Sequence, residues 1–406
     1  MPHICLFRML FAFAAVGLAP LAVWAADPAA VEVARKRVVA LGAGAACVVD
    51  AAGRLTEITI PDGAEVTAAD LARIGTLTDL EKLQVLNCRT LNDEMVASLS
   101  GLAHLKTLAL TNTAITDDAV QLIADSFPDL VDLDLSSNTN LTGGAMKPIT
   151  GLKKLQRLTL VQTRFNDLNT RRLSKLAALE ALDLRGNMEA GDMTLGVVGG
   201  LPHLKALKHR STVVSDEGLA KLAESTTLES LLAQDFAITN ASGPHLAALT
   251  GLTSLEIFRC QGFGSDGVLA LASLKKLGRL TLRDLPEVGD PALAVLGELP
   301  ELKRLYLHEL ASVGDNGLNH LAAARNLEVL DIWSLPRMTD ASVDVIATLP
   351  NLKELSIRET GVTEACLEKI LAMPKLASLT FSNGAVSAET AAKFSAKKWK
   401  KLDLGR

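Results

Sequence analysis

Two sets of residues in this 406-residue sequence have the types and spacing of known ligand sites. Residues 262–267, GFGSDG, match the G-x-G-x-x-G pattern, in which glycines let a backbone loop approach a phosphate group. Aspartates also recur, each before an apolar stretch, and repeated carboxylates bind calcium where several oxygens converge. These aspartates are Asp93, Asp117, Asp216, Asp266, Asp290, Asp315 and Asp340. Whether these residues form ligand sites or have a structural role depends on the strands, turns and helices in which they lie.

A repeat of 24 or 25 residues runs through most of the chain and defines those elements. The leucine that opens each L-x-x-L-x-L unit recurs at this spacing, and a last partial unit begins 23 residues after the preceding one. These positions are Leu55, Leu80, Leu105, Leu130, Leu155, Leu179, Leu204, Leu228, Leu252, Leu277, Leu302, Leu327, Leu352, Leu376 and, in the partial unit, Trp399. In the unit 105–127, Leu108 and Leu110 alternate with smaller residues, which predicts a strand with one buried face, followed by a turn and a short helix. One such unit cannot bury its apolar side alone, so the units must stack.

The recurring pattern resembles the leucine-rich repeat family, in its cysteine-containing, ribonuclease-inhibitor-like subclass with the motif L-x-x-L-x-L-x-x-[CNT]-x-x-[IV]-T-D-x-G-L. The resemblance is clear in 326–343 (NLEVLDIWSLPRMTDASV), 83–96 (LQVLNCRTLNDEMV) and 211–223 (STVVSDEGLAKLA), and it covers roughly residues 55–404. It implies an α/β fold, a curved solenoid of about 14 repeats with parallel strands on the inner face and helices on the outer face. The cysteine position of the motif holds Thr or Asn in many units and leucine in three consecutive units. We therefore expect a turn ladder that is polar except between residues 285 and 335.

The repeat explains both ligand-site patterns as structural features. In the repeat frame Phe263 takes the isoleucine position of the motif and Gly267 its usual glycine, so the match to a phosphate-binding loop is coincidental. The aspartates follow a Thr, Ser, Asn or Gly and begin a helix, where a hydroxyl caps free N–H groups and a carboxylate lies at the positive end of the helix dipole. One acid per repeat does not provide the converging oxygens that calcium needs. We expect no metal and no other cofactor.

No arrangement of residues in the sequence indicates catalysis. There is no Ser-His-Asp or Cys-His set, no G-x-S-x-G and no H-E-x-x-H. His209 occupies a column of inward positions that is otherwise apolar. We expect it to be a hydrogen-bonded core residue, with a pH-sensitive group as the alternative. The protein is not expected to be an enzyme.

The predicted inner face carries the best candidate for a binding site. Because side chains alternate along a strand, the residues four and six positions after each opening leucine point away from the core. These residues are small and polar in the early units, and large, aromatic or charged in the units that begin at residues 252 to 352. The candidate residues are Glu256, Phe258, Arg283, Tyr306, His308, Asp331, Trp333 and Arg358. With strands about 4.8 Å apart, they cover roughly 19 Å, the width of a peptide or a domain face.

Tyr, Trp and Arg are the residue types enriched at interface hot spots, so we expect a protein or peptide partner on the concave face of the C-terminal half. Binding of envelope carbohydrate and a purely structural spacer are the alternatives. Long side chains that pack on one another without any ligand would also produce this pattern.

The N-terminus predicts export. Residues 1–25 combine His3 and Arg8, an apolar run and small residues before a cleavage site after Ala25, as in a secretory signal. Removing them takes away Arg8 and no acid, so the net charge changes from -5 to -6. This mild acidity argues against nucleic acid as the partner, and no later apolar stretch is long enough to insert into a membrane. We expect a secreted or periplasmic monomer.

The segments at the two ends are predicted to cover the core of the solenoid. The expected division is a signal peptide (1–25), a helix-strand cap (26–54), the repeats (55–398) and a terminal strand cap (399–406), in which Trp399 closes the core. The cysteines after the signal show no C-x-x-C pair, so we expect buried free thiols. They are Cys47, Cys88, Cys260 and Cys366.

Overall fold

The structure is a computed structural model that describes residues 28–405. The predicted signal peptide, residues 1–25, lies outside the described residues. None of the described helices is both long and apolar enough to span a bilayer.

The strands of the described chain form one sheet in sequence order, and the predicted solenoid is confirmed. The first strand is antiparallel to the second, and all later neighbours are parallel. The strands are β1 (Ala46–Val49), β2 (Leu55–Ile60), β3 (Lys82–Leu86), β4 (Thr107–Thr111), β5 (Asp132–Asp134), β6 (Arg157–Thr159), β7 (Ala181–Asp183), β8 (Ala206–Arg210), β9 (Ser230–Gln234), β10 (Ser254–Phe258), β11 (Arg279–Arg283), β12 (Arg304–His308), β13 (Val329–Trp333), β14 (Glu354–Arg358), β15 (Ser378–Ser382) and β16 (Lys401–Asp403). The parallel strands pair residues one repeat apart, so equivalent repeat positions form straight columns across the sheet.

The outer side of the solenoid consists of short helical segments, because each repeat has few residues left after its strand and turns. The α-helices are α1 (Pro28–Ala40), α2 (Ala68–Ile74), α3 (Asp93–Ala97), α4 (Asp117–Ser126), α5 (Met146–Ile149), α6 (Asp167–Thr170), α7 (Asp192–Gly199), α8 (Asp216–Leu222), α9 (Gly243–Ala248), α10 (Ser265–Leu269), α11 (Asp315–Leu318), α12 (Asp340–Ala347), α13 (Leu367–Leu371) and α14 (Ala388–Ser395). Further 3₁₀ segments are Gly143–Ala145, Arg171–Lys175, Asn240–Ser242, Ala270–Ser273, Asp290–Glu298, Asn319–Ala323 and Glu364–Cys366. A 3₁₀ turn covers more length per residue than an α turn, which suits so short a return path.

The leucines of the repeat form one continuous core between sheet and helices. In β12, Leu305 and Leu307 are fully buried, whereas Tyr306 and His308 between and after them face the other side of the sheet. Complete burial of a leucine side chain contributes about 1.5–3 kcal/mol. The alternation that the sequence predicts for each strand is therefore what separates the core from the concave face.

Polar side chains form hydrogen bonds in the turn after the strand in several repeats, as the sequence predicts for this position. Asn138 donates from Nδ2 to the carbonyl oxygens of Leu110 (2.7 Å) and Leu135 (3.0 Å). Its Oδ1 accepts from the backbone N–H and the hydroxyl of Thr113, both at 2.8 Å. In the three consecutive leucine units this position is fully buried and apolar.

The cysteines differ in burial. Cys88, Cys260 and Cys366 are buried free thiols, and burial raises the pKa of Cys260 and of Cys366 to about 12. Cys47 on β1 is only half-buried, so the expectation of a buried thiol is wrong for this residue. It lies on the outermost strand, which has a neighbour on one side only.

Side chains cover the core at both ends of the sheet. At the N-terminal end, Arg37 of α1 forms two 2.9 Å hydrogen bonds to the Asp70 carboxylate, and these bonds lower the pKa of Asp70 to about 2. At the other end Phe394 is fully buried, and half-buried Trp399 stacks on it with ring centres 5.7 Å apart. The last covering layer of the core is thus Phe394 with Trp399 outside it, rather than Trp399 alone.

The helix-start aspartates connect adjacent repeats, a role that the sequence pattern did not predict. Asp315 accepts hydrogen bonds from the N–H (2.9 Å) and the hydroxyl (2.6 Å) of Thr339, one repeat later, and from the Ser342 hydroxyl. Thr339 in turn caps α12. Burial raises the pKa of Asp315, but the hydrogen bonds outweigh burial and the net pKa is lowered. Equivalent pairs are Asp93–Thr116, Asp117–Thr142, Asp192–Ser215, Asp216–Thr239 and Asp340–Thr363.

The prediction that Asp266 is equivalent to the other helix-start aspartates is wrong. The first residue of α10 is Ser265, whose hydroxyl accepts from the backbone N–H of Gly289 (3.0 Å), and Asp266 beside it is exposed. No group of three or more His, Cys, Asp or Glu side chains within residues 28–405 is arranged to hold a metal ion.

His209 lies in the core, as expected from its column. Its Nε2 is 2.8 Å from the carbonyl oxygen of Ala190 and its Nδ1 is 3.3 Å from that of Leu184. Burial lowers the pKa of His209, although the two carbonyls and the charges of Asp167 and Asp183 act in the opposite direction. The folded protein therefore holds this imidazole neutral near pH 7.

Replacing Asp315 by Ala should lower the free energy of unfolding by about 1.5–3 kcal/mol, because the substitution removes the charged acceptor of exposed Thr339 and leaves the hydroxyl of buried Ser342 without its partner. Urea unfolding followed by circular dichroism measures this change. Asp129→Ala is the control, because Asp129 forms only an exposed ion pair with Lys154 and its loss should cost less than about 1 kcal/mol. Equal losses for the two variants would contradict a structural role for the inter-repeat bonds.

The protein should lose stability as pH falls from about 6.5 to 5, and His209 should account for part of the loss. Its pKa is lower in the folded than in the unfolded state, so the unfolded chain binds more protons in this window. Acid therefore stabilises the unfolded state relative to the folded state. The effect of this one group is at most about 2 kcal/mol at pH 5. Urea unfolding of wild type and of His209→Leu at several pH values tests this, and a difference between them that does not vary with pH would refute it.

Candidate binding surface

The structure brings the eight predicted site residues together on one face of five adjacent strands, β10 to β14. Phe258, Arg283, His308, Trp333 and Arg358 are aligned in one register column. Glu256, Tyr306 and Asp331 lie in the neighbouring column, separated by Thr281 and followed by Ser356. All eight side chains are half-buried. We call this set the aromatic-arginine surface.

Arg283 lies at the centre of the aromatic-arginine surface between two aromatic rings. Its guanidinium carbon is 4.4 Å from the centre of the Phe258 ring and 5.2 Å from that of Trp333. Its Nε donates to Glu309 Oε2 at 2.8 Å. A guanidinium that stacks on rings and is also ion-paired has little freedom left, so it holds the two aromatic side chains in place.

His308 fills the space between the other two rings. Its imidazole meets Tyr306 and Trp333 edge to face, with ring centres 6.0 Å and 5.8 Å away. Its Nε2 is buried, 3.6 Å from Asp331 Oδ1, and makes no hydrogen bond in the described part of the chain. His308 is therefore mostly a packing element of the aromatic-arginine surface.

Arg358 and Asp331 form the charged edge of the aromatic-arginine surface. Arg358 Nη2 lies 3.0 Å and 3.3 Å from the two oxygens of Asp331, and its Nε donates to the Ser356 hydroxyl at 3.1 Å. Burial raises the pKa of Asp331, but the interactions with His308 and Arg358 outweigh it, and the net pKa is lower than usual. Asp331 is consequently a carboxylate at neutral pH, and it orients Arg358 over the Trp333 ring.

Three supporting residues were missed by the sequence pattern. The Arg279 guanidinium lies over the Tyr306 ring at 4.7 Å, and that of Arg259 lies over Phe258 at 4.6 Å. Arg259 and Glu309 follow the end of the strand, seven positions after the opening leucine, and have left-handed backbones with φ of 55° and 54°. The alternation rule stops at the strand end, but the recurrence of charged residues at this seventh position was a usable signal.

Two grooves lie on the inner side of the sheet. One, of about 480 Å³, borders the aromatic-arginine surface and extends from Tyr306, Asp331 and Arg358 towards β16. The other, of about 840 Å³, lies over β3 to β7, where the sequence suggested only small polar residues. The larger groove is therefore not at the predicted site.

Comparison with known proteins places the chain among repeat proteins. Residues 112–404 match the family described as leucine-rich repeat region. No curated protein matches the chain. Among solved structures, an internalin from Listeria monocytogenes shares 21% identity over 90% of this chain and 100% of its own, with a TM-score of 0.56. A chain of the yeast Rad7–Elc1 complex shares 20% identity over 87% of this chain and 92% of its own, with a TM-score of 0.60. At these identities the two structures show a common fold.

Replacing Arg283 by Ala should loosen the aromatic-arginine surface without unfolding the protein, because it removes two stacking contacts worth together about 1–2 kcal/mol. In a mature chain that carries Trp399→Phe, Trp333 is the only tryptophan, and acrylamide should quench its fluorescence more strongly after the change. Arg304→Ala, an exposed residue at the start of β12, is the matched control and should leave quenching unchanged. Unchanged quenching in Arg283→Ala would show that Trp333 does not depend on this arginine.

Proposed function

The chain belongs to the leucine-rich repeat family, and we propose that it is an exported, non-catalytic scaffold that binds a protein or peptide on the aromatic-arginine surface. The observation that carries the proposal is the position of Arg283 between Phe258 and Trp333 on five strands of a rigid sheet. Large aromatic and arginine side chains supply most of the energy at protein interfaces.

The preorganisation of these side chains supports binding. Arg283 and Arg358 are already held by Glu309 and Asp331, so a partner does not have to immobilise them. Immobilising a long side chain costs about 0.5–1.5 kcal/mol on association. A surface whose side chains are already ordered in the folded protein binds more tightly than a mobile surface of the same contact area.

The width and polarity of the surface favour a protein or peptide. Five strands about 4.8 Å apart present roughly 19 Å, and the adjoining groove of about 480 Å³ continues the contact towards β16. Carboxylates of Asp331 and Glu309 lie among the arginines, and this mixture is unlike the basic surface that binds nucleic acid. One solved structure with this fold comes from a complex of two proteins, which agrees with a scaffold role.

Export rests on residues 1–25 alone. Their pattern supports a secreted or periplasmic location, where the partner would be an extracellular or envelope protein. Fusion of residues 1–25 to a reporter active only after export tests this independently of binding.

The test of the binding proposal is affinity capture from the native envelope with the mature chain and with the variant Tyr306→Ala/Trp333→Ala. Truncating two hot-spot aromatics should weaken capture of a specific protein by about 700-fold, at about 2 kcal/mol for each residue. The control is Leu122→Ala/Leu168→Ala, which removes two exposed apolar side chains of the outer helices.

Normal folding with unchanged protein capture by the aromatic double variant would refute the proposal. Binding of purified envelope glycan that persists without any protein partner would favour carbohydrate recognition instead. Loss of capture in both double variants would indicate a general effect on folding, which circular dichroism detects.

A further inference from the structure

The groove over β3 to β7 is a polar trough in which one carboxylate lacks a counter-ion. The trough has a volume of about 840 Å³, contains no aromatic side chain, and is lined mainly by polar residues. They include Gln84, Asn112, Asp134, Thr159, Gln162 and Arg164. We call it the N-terminal trough. It shares no lining residue with the aromatic-arginine surface.

Asp134 lies on the floor of the N-terminal trough. It belongs to β5 and is in register with Ala109 on one side and Thr159 on the other, two small neighbours that leave the space above the carboxylate open. Its Oδ1 accepts hydrogen bonds from the backbone N–H (2.9 Å) and the hydroxyl (2.5 Å) of Ser136. These bonds occupy one of the two carboxylate oxygens.

The other half-buried aspartates in the same column each have an arginine. Asp183 is paired with Arg185, with Nη2 at 2.8 Å from Oδ2, and Asp331 is paired with Arg358 at 3.0 Å. The residue two positions after Asp134, where Arg185 stands relative to Asp183, is Ser136. No lysine, arginine or histidine in residues 28–405 lies within ion-pair distance of Asp134. Among the half-buried aspartates of this column, Asp134 therefore lacks the arginine that Asp183 and Asp331 have.

The charge of Asp134 is costly to the folded chain. Burial raises its pKa, and the nearby carboxylates of Asp132 and Asp183 add to the rise, while the bonds from Ser136 oppose it. Arg185 on the trough wall is already held by Asp183, and exposed Arg164 lies on a loop outside the strands. Neither neutralises Asp134, so a cation from outside would replace a missing internal partner.

We propose that the N-terminal trough is a second binding surface, which takes a lysine or arginine side chain of a peptide partner onto Asp134. The flanking amides and hydroxyls suit the backbone of an extended peptide, since Gln84, Asn112 and Gln162 offer both donors and acceptors. A single carboxylate beside hydroxyls does not form a metal site, whereas it does suffice for one ammonium or guanidinium group. This surface is independent of the partner proposed for the aromatic-arginine surface.

The probe is a library of random heptapeptides displayed on phage and selected on the mature wild-type chain and on Asp134→Asn. Wild type should enrich peptides with lysine or arginine, and Asp134→Asn should not. The best peptide, synthesised with its basic residue or with norleucine in its place, should bind wild type about tenfold or more tightly with the basic residue, and Asp134→Asn should bind both forms alike.

Two controls separate this result from other causes. Asp129→Asn removes an exposed acid close to Asp134 in the sequence and should bind the peptide as wild type does. Tyr306→Ala/Trp333→Ala, which tests the other surface, should also bind it as wild type does. Asp134→Asn should also unfold at the same or a higher temperature than wild type, because it removes an uncompensated charge and keeps an acceptor for Ser136.

Either of two results would overturn the proposal. One is an absence of basic residues among the selected peptides or equal enrichment on both chains. The other is a clearly lower unfolding temperature for Asp134→Asn, which would mean that the carboxylate serves the fold.

Discussion

The whole structure depends on one constraint, which is that no repeat can bury its leucines without the next repeat. Each unit contributes a strand of at most six residues and a helical return, and its apolar side remains open until a neighbour covers it. The parallel register keeps equivalent positions in line, so the inward leucines and isoleucines of one strand meet those of the next. Because side chains alternate along each strand, aligning the inward side chains of successive strands also aligns the outward side chains between them. The concave face is therefore ordered to the same degree as the core.

Two sets of hydrogen bonds strengthen this stacking at places where leucine cannot. On the turn after the strand, Asn138 and Asn187 satisfy carbonyl and N–H groups that would otherwise be buried without partners. At the helix starts, a carboxylate of one repeat accepts from a hydroxyl and an N–H of the next. These bonds are directional, whereas leucine packing is not. They help to define the rotation of each repeat against its neighbour, and through it the spacing of the side chains on the concave face.

The sequence predicts those features that depend on local period and leaves open those that depend on contacts between repeats. The outward direction of Tyr306 and the placement of His308 beside Trp333 follow from alternation and a period of 25, and the structure has both. The contact of Arg279 with Tyr306 depends on the reach of a long side chain, for which there is no periodic signal. Asp266 was misplaced because the helix of its repeat begins one residue earlier, at Ser265. Phe394 was missed because the prediction assigned closure of the core to Trp399 alone.

The two surfaces on the concave face differ in the size of their side chains and in how their charges are paired, although both are formed by the same repeat positions. In the C-terminal half every arginine of the candidate set has a carboxylate partner and an aromatic ring beside it, so that surface is rigid and internally balanced. In the N-terminal half small side chains leave an open trough, and Asp134 has no cation partner among residues 28–405. A charge that folding leaves unbalanced lowers stability, and a ligand of opposite charge recovers the difference on binding. A rigid surface gains affinity from low ordering cost, whereas an unbalanced one gains selectivity for charge. A single solenoid can carry both because each repeat contacts only its neighbours, so the residues of one half can change without disturbing the other.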